Sequence, residues 1–405
     1  MDRRILFPLI SMFLAFLLCS DIISAQNWIF KGVAVSDEGI YAMTENNTLV
    51  KLTESLEPLW VVEIQKNAHI KRLIPADNGV LLVGDVLAKL DGNGTLLWAK
   101  NVSVRDARVL PDGGIVFTDG KVVGVIDKNG KPLWTIKFAT RIAEVPPGVR
   151  INALAPLDGY ILVAGTYILP DDPKSHLFIG ALSRDGTLIW TKVLNTGYYD
   201  YPDVAISLGN NGLVAGVYGG GSDAPWIADY FALRVSPDGK IEWFNSYACP
   251  REEDWDRFWS MKVLGAACND DTCALGTTTG TFVINAEGKL LTGLNFSGKA
   301  LRVENNSILL LSNGTLLTVP LKGAECRAYS SSVQFKEITP DVKVVPAELK
   351  VGEAHLQVTK IKEATRPDRG IQNTGDGGQA KGAYFGVILA VVLIVGMALV
   401  AKLRK

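Results

Sequence analysis

Histidine is scarce in this chain, whereas carboxylates beside aromatic rings are concentrated in four short stretches. The three histidines, His69, His176 and His355, lie far apart and show none of the close spacing that builds a zinc site. Each reads as a surface residue. No nucleophile elbow, phosphate-binding loop or dinucleotide fingerprint appears, so no catalytic residue is assigned. Asp91-Gly92-Asn93-Gly94 and Asn269-Asp270-Asp271 have oxygen-rich side chains of the kind calcium uses, but ordinary turn chemistry accounts for both, and no metal is expected. The four stretches are TYILPDDPKSH (166–176), NTGYYDYPD (195–203), YGGGSDAPWIADY (218–230) and YACPREEDWDRFW (247–259). They supply Tyr198, Tyr199, Tyr201, Trp226, Tyr230, Trp255 and Trp259 beside Glu252, Glu253, Asp254 and Asp256. Aromatic faces bordered by carboxylates can stack on sugar rings or anchor a protein partner, and the carboxylates themselves could serve as acid and base.

Elements that would position these residues are announced by a repeated phrase. LDGNGTLLWAK at 90–100 returns as IDKNGKPLWTIK at 126–137, LSRDGTLIWTK at 182–192 and VSPDGKIEWFN at 235–245. INAEGKLLTGL at 284–294 keeps the turn but has Thr292 in place of the tryptophan, and SLEPLWVV at 55–62 keeps the tryptophan without the glycine. Trp60, Trp98, Trp134, Trp190 and Trp243 are separated by 38, 36, 56 and 53 residues. A period near 40 with four strands per unit is the signature of a β-propeller. Seven units can be parsed, at 32–64, 72–100, 106–138, 151–193, 203–246, 260–296 and 299–330. Runs such as GVLLVG and YILVAGTYI are apolar on both faces and need cover on both, which neighbouring blades provide. The fold class is therefore all-β, a seven-bladed propeller over 26–332, with the recurring Trp filling the gap between diverging outer strands. The last unit has a weak fourth strand (Glu325–Tyr329), so Gln26-Asn27-Trp28-Ile29-Phe30 is expected to close the ring. The four aromatic stretches fall at second-to-third hairpins and at connections between blades, which open on one face of the disc.

An acidic or Asn/Gly turn followed by Gly-x-Leu-Leu-Trp resembles the repeat of the PQQ-like, or quinoprotein-type, propeller superfamily. That resemblance implies either a quinone-dependent dehydrogenase or a non-catalytic scaffold of the outer-membrane assembly type. The chain departs from the enzymes in its seven units, in lacking adjacent cysteines and in showing no cluster of calcium ligands. No cofactor is expected; PQQ or calcium would accompany only the enzymatic alternative.

Both ends carry membrane signals. MDRR and the apolar ILFPLISMFLAFLL read as a signal peptide over 1–25, cleaved before Gln26, or else as an uncleaved anchor. AYFGVILAVVLIVGMALVA (383–401) is uncharged and reaches roughly 28 Å as a helix, enough to cross a bilayer. A basic tail, 402–405, should then stay in the cytoplasm. Between them, 333–365 reads as a small β stalk or strap and 366–382 as a flexible linker with a reach on the order of 23 Å. Without the signal peptide and tail, the ectodomain has 36 basic and 40 acidic residues, which excludes nucleic acid as a partner. Four cysteines remain outside: Cys268 and Cys273 flank a short turn and pair first, leaving Cys249 with Cys326. Sequons at Asn46, Asn93, Asn101, Asn295, Asn305 and Asn313 are glycosylation candidates given that topology. The functional expectation is a single-pass cell-membrane protein whose outward propeller binds an envelope or extracellular protein, or a glycan. The alternative is a quinone-dependent dehydrogenase or propeller hydrolase using acidic residues of the same face.

Overall fold

The computed structural model describes residues 28–140, 148–169, 172–220, 224–248, 257–304, 306–321, 325–326, 328–349 and 351–363. Contacts divide the chain into Met1–Ala364 and Thr365–Lys405, and every described residue lies in the first unit. The signal segment, the linker and the 383–401 stretch fall outside the described residues. Among the described residues no helix is long and apolar enough to cross a membrane.

Seven antiparallel sheets form a ring of blades: residues 30–64, 70–101, 106–140, 150–195, 199–248, 263–294 and 299–320. Each inner strand lies beside the next, and that of blade 7 (Lys299–Val303) returns to that of blade 1 (Phe30–Ser36), so the ring is closed. The doubly apolar runs behave as their composition demands. Gly79–Gly84 is buried along its whole length, and seven separate hydrophobic cores fill the seven gaps between neighbouring blades.

The repeated phrase is a latch between blades. Each tryptophan donates its indole N–H to a carbonyl in the third-to-fourth turn of the next blade. Trp60 reaches Gly92 at 2.8 Å, Trp98 Lys128 at 3.1 Å, Trp134 Arg184 at 2.8 Å, Trp190 Pro237 at 2.8 Å and Trp243 Ala286 at 3.0 Å. The ring lies flat against the left-handed glycine of that same turn, where a β-carbon would collide with it: 2.9 Å at Gly239 and 2.6 Å at Gly288. Gly and Trp thus recur together because each repeat supplies the partner of its neighbour. The acidic turn residues are consumed locally. Asp91 Oδ1 accepts the N–H groups of Asn93 and Thr95, and Asn269 Oδ1 those of Asp271 and Thr272.

Two expectations need correction at the ring closure. Glu325–Cys326 pairs with the outer strand of blade 6, Leu290–Leu294, and gives blade 7 no fourth strand. Blade 7 has three strands among the described residues, and Trp28 and Ile29 precede the inner strand of blade 1 without entering any sheet. The seam is closed by packing instead, with Trp28 and Phe30 joining the core between blades 7 and 1 and the Phe30 N–H donating to the Gly314 carbonyl at 2.8 Å.

Residues 325–363 form no separate module. They run back around the rim against chain order, adding a fifth strand to blade after blade. Glu325–Cys326 joins blade 6, Tyr329–Ser332 blade 5, Lys336–Ile338 blade 4, Val342–Pro346 blade 3, Gly352–Glu353 blade 2 and Val358–Glu363 blade 1. This belt also seals the grooves between blades. Leu356 enters the core between blades 1 and 2, Leu349 and Val351 that between 2 and 3, Val342 and Val344 that between 3 and 4, and Val333 and Phe335 that between 4 and 5. Lys192 and Glu337 pair at 2.6 Å, and Lys100 and Glu353 also pair, across the belt-to-blade boundary. Cys268 and Cys273 form a disulfide directly across the first hairpin of blade 6. Cys249 and the side chain of Cys326 lie outside the described residues.

Candidate functional site

Blades 4 and 5 are taller than the others, and their height comes from the stretches singled out in the sequence. Strands Tyr160–Leu169, Asp172–Ser183, Tyr199–Leu208, Asn211–Gly220 and Ala224–Val235 run 10 to 12 residues, against 4 to 7 for the inner three strands of blades 1 to 3. The strand pairs continue into these stretches, with Tyr167 opposite His176 and Asp200 opposite Tyr218, and bulges interrupt the register at Pro202/Val204 and Ile168/Leu169. Among the described residues the extension is therefore mostly strand, a wall on one side of the disc.

At the foot of this wall the chain makes one helical turn, Arg257–Ser260, against the second and third strands of blade 5. Phe258 is buried and Trp259 is 59% exposed, their rings 4.9 Å apart and edge to face. Tyr199 and Tyr201 complete the group, with centroids 6.4 and 5.9 Å from Phe258 and 6.2 and 6.4 Å from Trp259. Alternation along the strand puts residues 199 and 201 on one face, which is why they meet the same pair of rings. Tyr198 points elsewhere, 6.0 Å from Tyr218. The product is a four-ring platform, anchored by a buried Phe and topped by an exposed indole.

Other expected site residues behave differently. Tyr230 is wholly buried, its hydroxyl within 3.0 Å of Thr278 and 2.9 Å of Thr279, and belongs to the core between blades 5 and 6. It is a packing residue, since its strand position faces the neighbouring blade. Glu252, Glu253, Asp254, Trp255 and Asp256 lie outside the described residues, as does the side chain of Trp226. His176, expected on the surface, is buried 3.2 Å from Asp172, and burial pushes its pKa down; His69 and His355 are exposed. Asn46, Asn93, Asn101, Asn295 and Asn313 are exposed, and Asn305 is not described. Among the described residues no three His, Cys, Asp or Glu side chains converge closely enough to hold a metal ion.

Asp200, between the two platform tyrosines, points the opposite way into the protein and is fully buried. Burial pushes its pKa well above the carboxylate range, against the hydroxyl of Thr196 at 2.9 Å and the backbone N–H groups of Leu177 and Thr196. The folded state therefore holds a proton that the unfolded chain releases near pH 3.9, and the stability from that proton is lost as pH rises above this value. Relative to the native chain, Asp200→Asn is expected to gain melting temperature progressively as pH is raised from acid to neutral. A pH-independent difference would show that Asp200 is ionised in the fold.

Residues 21–157 match the sequence profile of the family described as outer membrane protein assembly factor BamB. The repeat over these residues is PQQ-like. Similar solved structures include BamB from Moraxella catarrhalis, 16% identical over 73% of this chain and 83% of that one, with a TM-score of 0.45. The computationally designed Ika8 protein is 13% identical over 73% and 98%, at 0.45. Raptor from Chaetomium thermophilum is 10% identical over 74% of this chain and 28% of that one, at 0.48. At these scores no functional inference follows from them. No curated protein matches the sequence.

Proposed function

We propose that this chain is a membrane-anchored, extracytoplasmic scaffold that binds an envelope protein through the wall of blades 4 and 5. The observation that carries the reading is the exposed Trp259 held on Tyr199, Tyr201 and Phe258. A large ring already fixed by its neighbours loses little freedom on binding, and such aromatic anchors dominate the energetics of protein interfaces. The match of residues 21–157 to an outer-membrane assembly factor profile supports a protein rather than a glycan as the partner. The apolar stretches at 5–18 and 383–401 support the envelope address.

The test places a photo-crosslinking amino acid at 259 or at Leu97, which is 54% exposed near the third-to-fourth turns on the opposite side of the disc. A discrete crosslinked protein at 259 and none at 97 is expected. Trp259→Ala should weaken binding to that protein by about 30-fold, the scale of an interface hot spot. Equal crosslinking at both positions would remove the wall as the binding face.

A further inference from the structure

The axis of the propeller is a channel of about 820 Å³ walled by the inner strands of blades 1, 2, 3, 5, 6 and 7. Its lining is cationic although the chain as a whole carries a formal charge of −1. Arg72, Arg105, Arg108, Lys262 and Lys299 come from four different blades, and the carboxylates among them are Asp203 in the wall and Asp106 just behind it.

The partners of these groups show how the charge is arranged. Asp106 is completely buried; its Oδ1 takes Arg72 at 3.2 Å and Arg108 at 2.6 Å, while its Oδ2 accepts the backbone N–H of Leu154 at 2.9 Å. That one carboxylate is saturated, and it fixes two guanidinium groups side by side. Asp203 accepts the Val263 N–H at 2.8 Å, and its pKa is pushed up to about 6 by burial. Lys299 donates only to the Val33 carbonyl, at 3.3 Å. Its pKa is pushed down to about 8, first by burial and then by Arg72 and Arg108, against the pull of Asp106. Bringing like charges together in a partly desolvated space is costly unless a counter-charge completes the set.

We infer that the channel is a binding site for a small, multiply charged anion of the phosphate class. The excess of cations over carboxylates calls for more than one negative charge. Guanidinium forks beside an ammonium match the several oxygens of a tetrahedral anion better than they match a single carboxylate. The volume suits a small ligand rather than a folded partner. This site is independent of the aromatic platform, which stands on the wall outside the channel.

The full chain in detergent is titrated calorimetrically with inorganic pyrophosphate and, in parallel, with a short-chain phosphatidic acid. The variants are Arg105→Gln, in the channel, and Lys192→Gln, a cation of the rim already paired with Glu337 at 2.6 Å. Arg105→Gln should weaken binding by about tenfold or more, the cost of a lost charge-assisted hydrogen bond. Lys192→Gln should change it by less than about threefold. Tighter binding of pyrophosphate assigns a free anion, and tighter binding of the phosphatidic acid assigns a lipid headgroup at the same cations. Melting curves keep the variants interpretable, because a bound anion should raise the midpoint of the native chain and not of Arg105→Gln. Absence of binding by either probe, or equal weakening by both variants, overturns the site.

Discussion

Replacing residues 329–363 by a Gly/Ser segment of equal length is expected to lower the melting midpoint of the full chain by at least ~10 °C and to make it aggregate. The physical reason lies in what the belt covers. Outer strands of blades 1 to 5, such as Pro58–Ile64 and Ile241–Ala248, would each lose their final hydrogen-bonded neighbour. Five unpaired edges around one disc are five templates for pairing with another chain. The grooves between blades would open as well, since Val333, Val342 and Leu356 are each only 8% exposed within the interblade cores. Burial of one such side chain contributes about 1.5–3 kcal/mol, so the apolar loss alone approaches the whole stability of a typical domain before the entropy of releasing the belt is set against it. Leu356→Ala isolates one link, with an expected cost of about 2–3 kcal/mol at the blade 1–blade 2 seam. An unchanged midpoint on replacing the whole segment would mean the blades hold one another without it.

The belt also shows where reading the sequence stops. The blades announce themselves because turn, apolar run and Trp recur within one hairpin, and local order of that kind survives in a one-dimensional pattern. The belt strands are two to six residues long, and their partners lie far away in the chain: Glu353 meets Lys100, and the N–H of Gln65 meets the carbonyl of Gln357. No short window contains both halves of such a pair. Spacing was the available signal. Belt strands follow one another every seven to eight residues from 337 onward. At about 3.3–3.6 Å per extended residue that step is long enough to go from one blade rim to the next.

A similar limit governs the site. Tyr199, Tyr201 and Trp259 belong to stretches that the blade order places on one face, whereas their meeting as one group of rings appears only in the fold. Tyr230 ends a stretch with the composition of a loop, but the strand continues through it and turns it inward. The channel cations leave no local pattern because separate repeats contribute them in ones and twos. Arg72, Lys262 and Lys299 each stand near the start of an inner strand, and only the ring brings them to one axis. Aligning the units on their first strands rather than on their tryptophans would have exposed the pattern.

The latch itself makes the second large prediction, that Gly288→Ala costs about 2–4 kcal/mol although it adds one methyl group. Two separable penalties contribute. Gly288 has φ +75°, a conformation in which an L-residue is strained by about 1–2 kcal/mol. Its new β-carbon would also stand 2.6 Å from the Trp243 ring and 2.8 Å from Asn245 Nδ2, so the indole must leave its seat and stretch its 3.0 Å bond to the Ala286 carbonyl. A double-mutant cycle with Trp243→Ala tells the two apart, using urea denaturation followed by circular dichroism so that the lost indole does not bias the signal. In the Trp243→Ala background the backbone strain remains and the ring collision disappears. Gly288→Ala should then cost about 1 kcal/mol or more less than in the native background. Blade 6 lacks this latch toward blade 7, because Thr292 stands where the tryptophan would. Additive costs at 288 and 243 would mean that the glycine is required by its turn alone and that the Gly–Trp recurrence is not a contact.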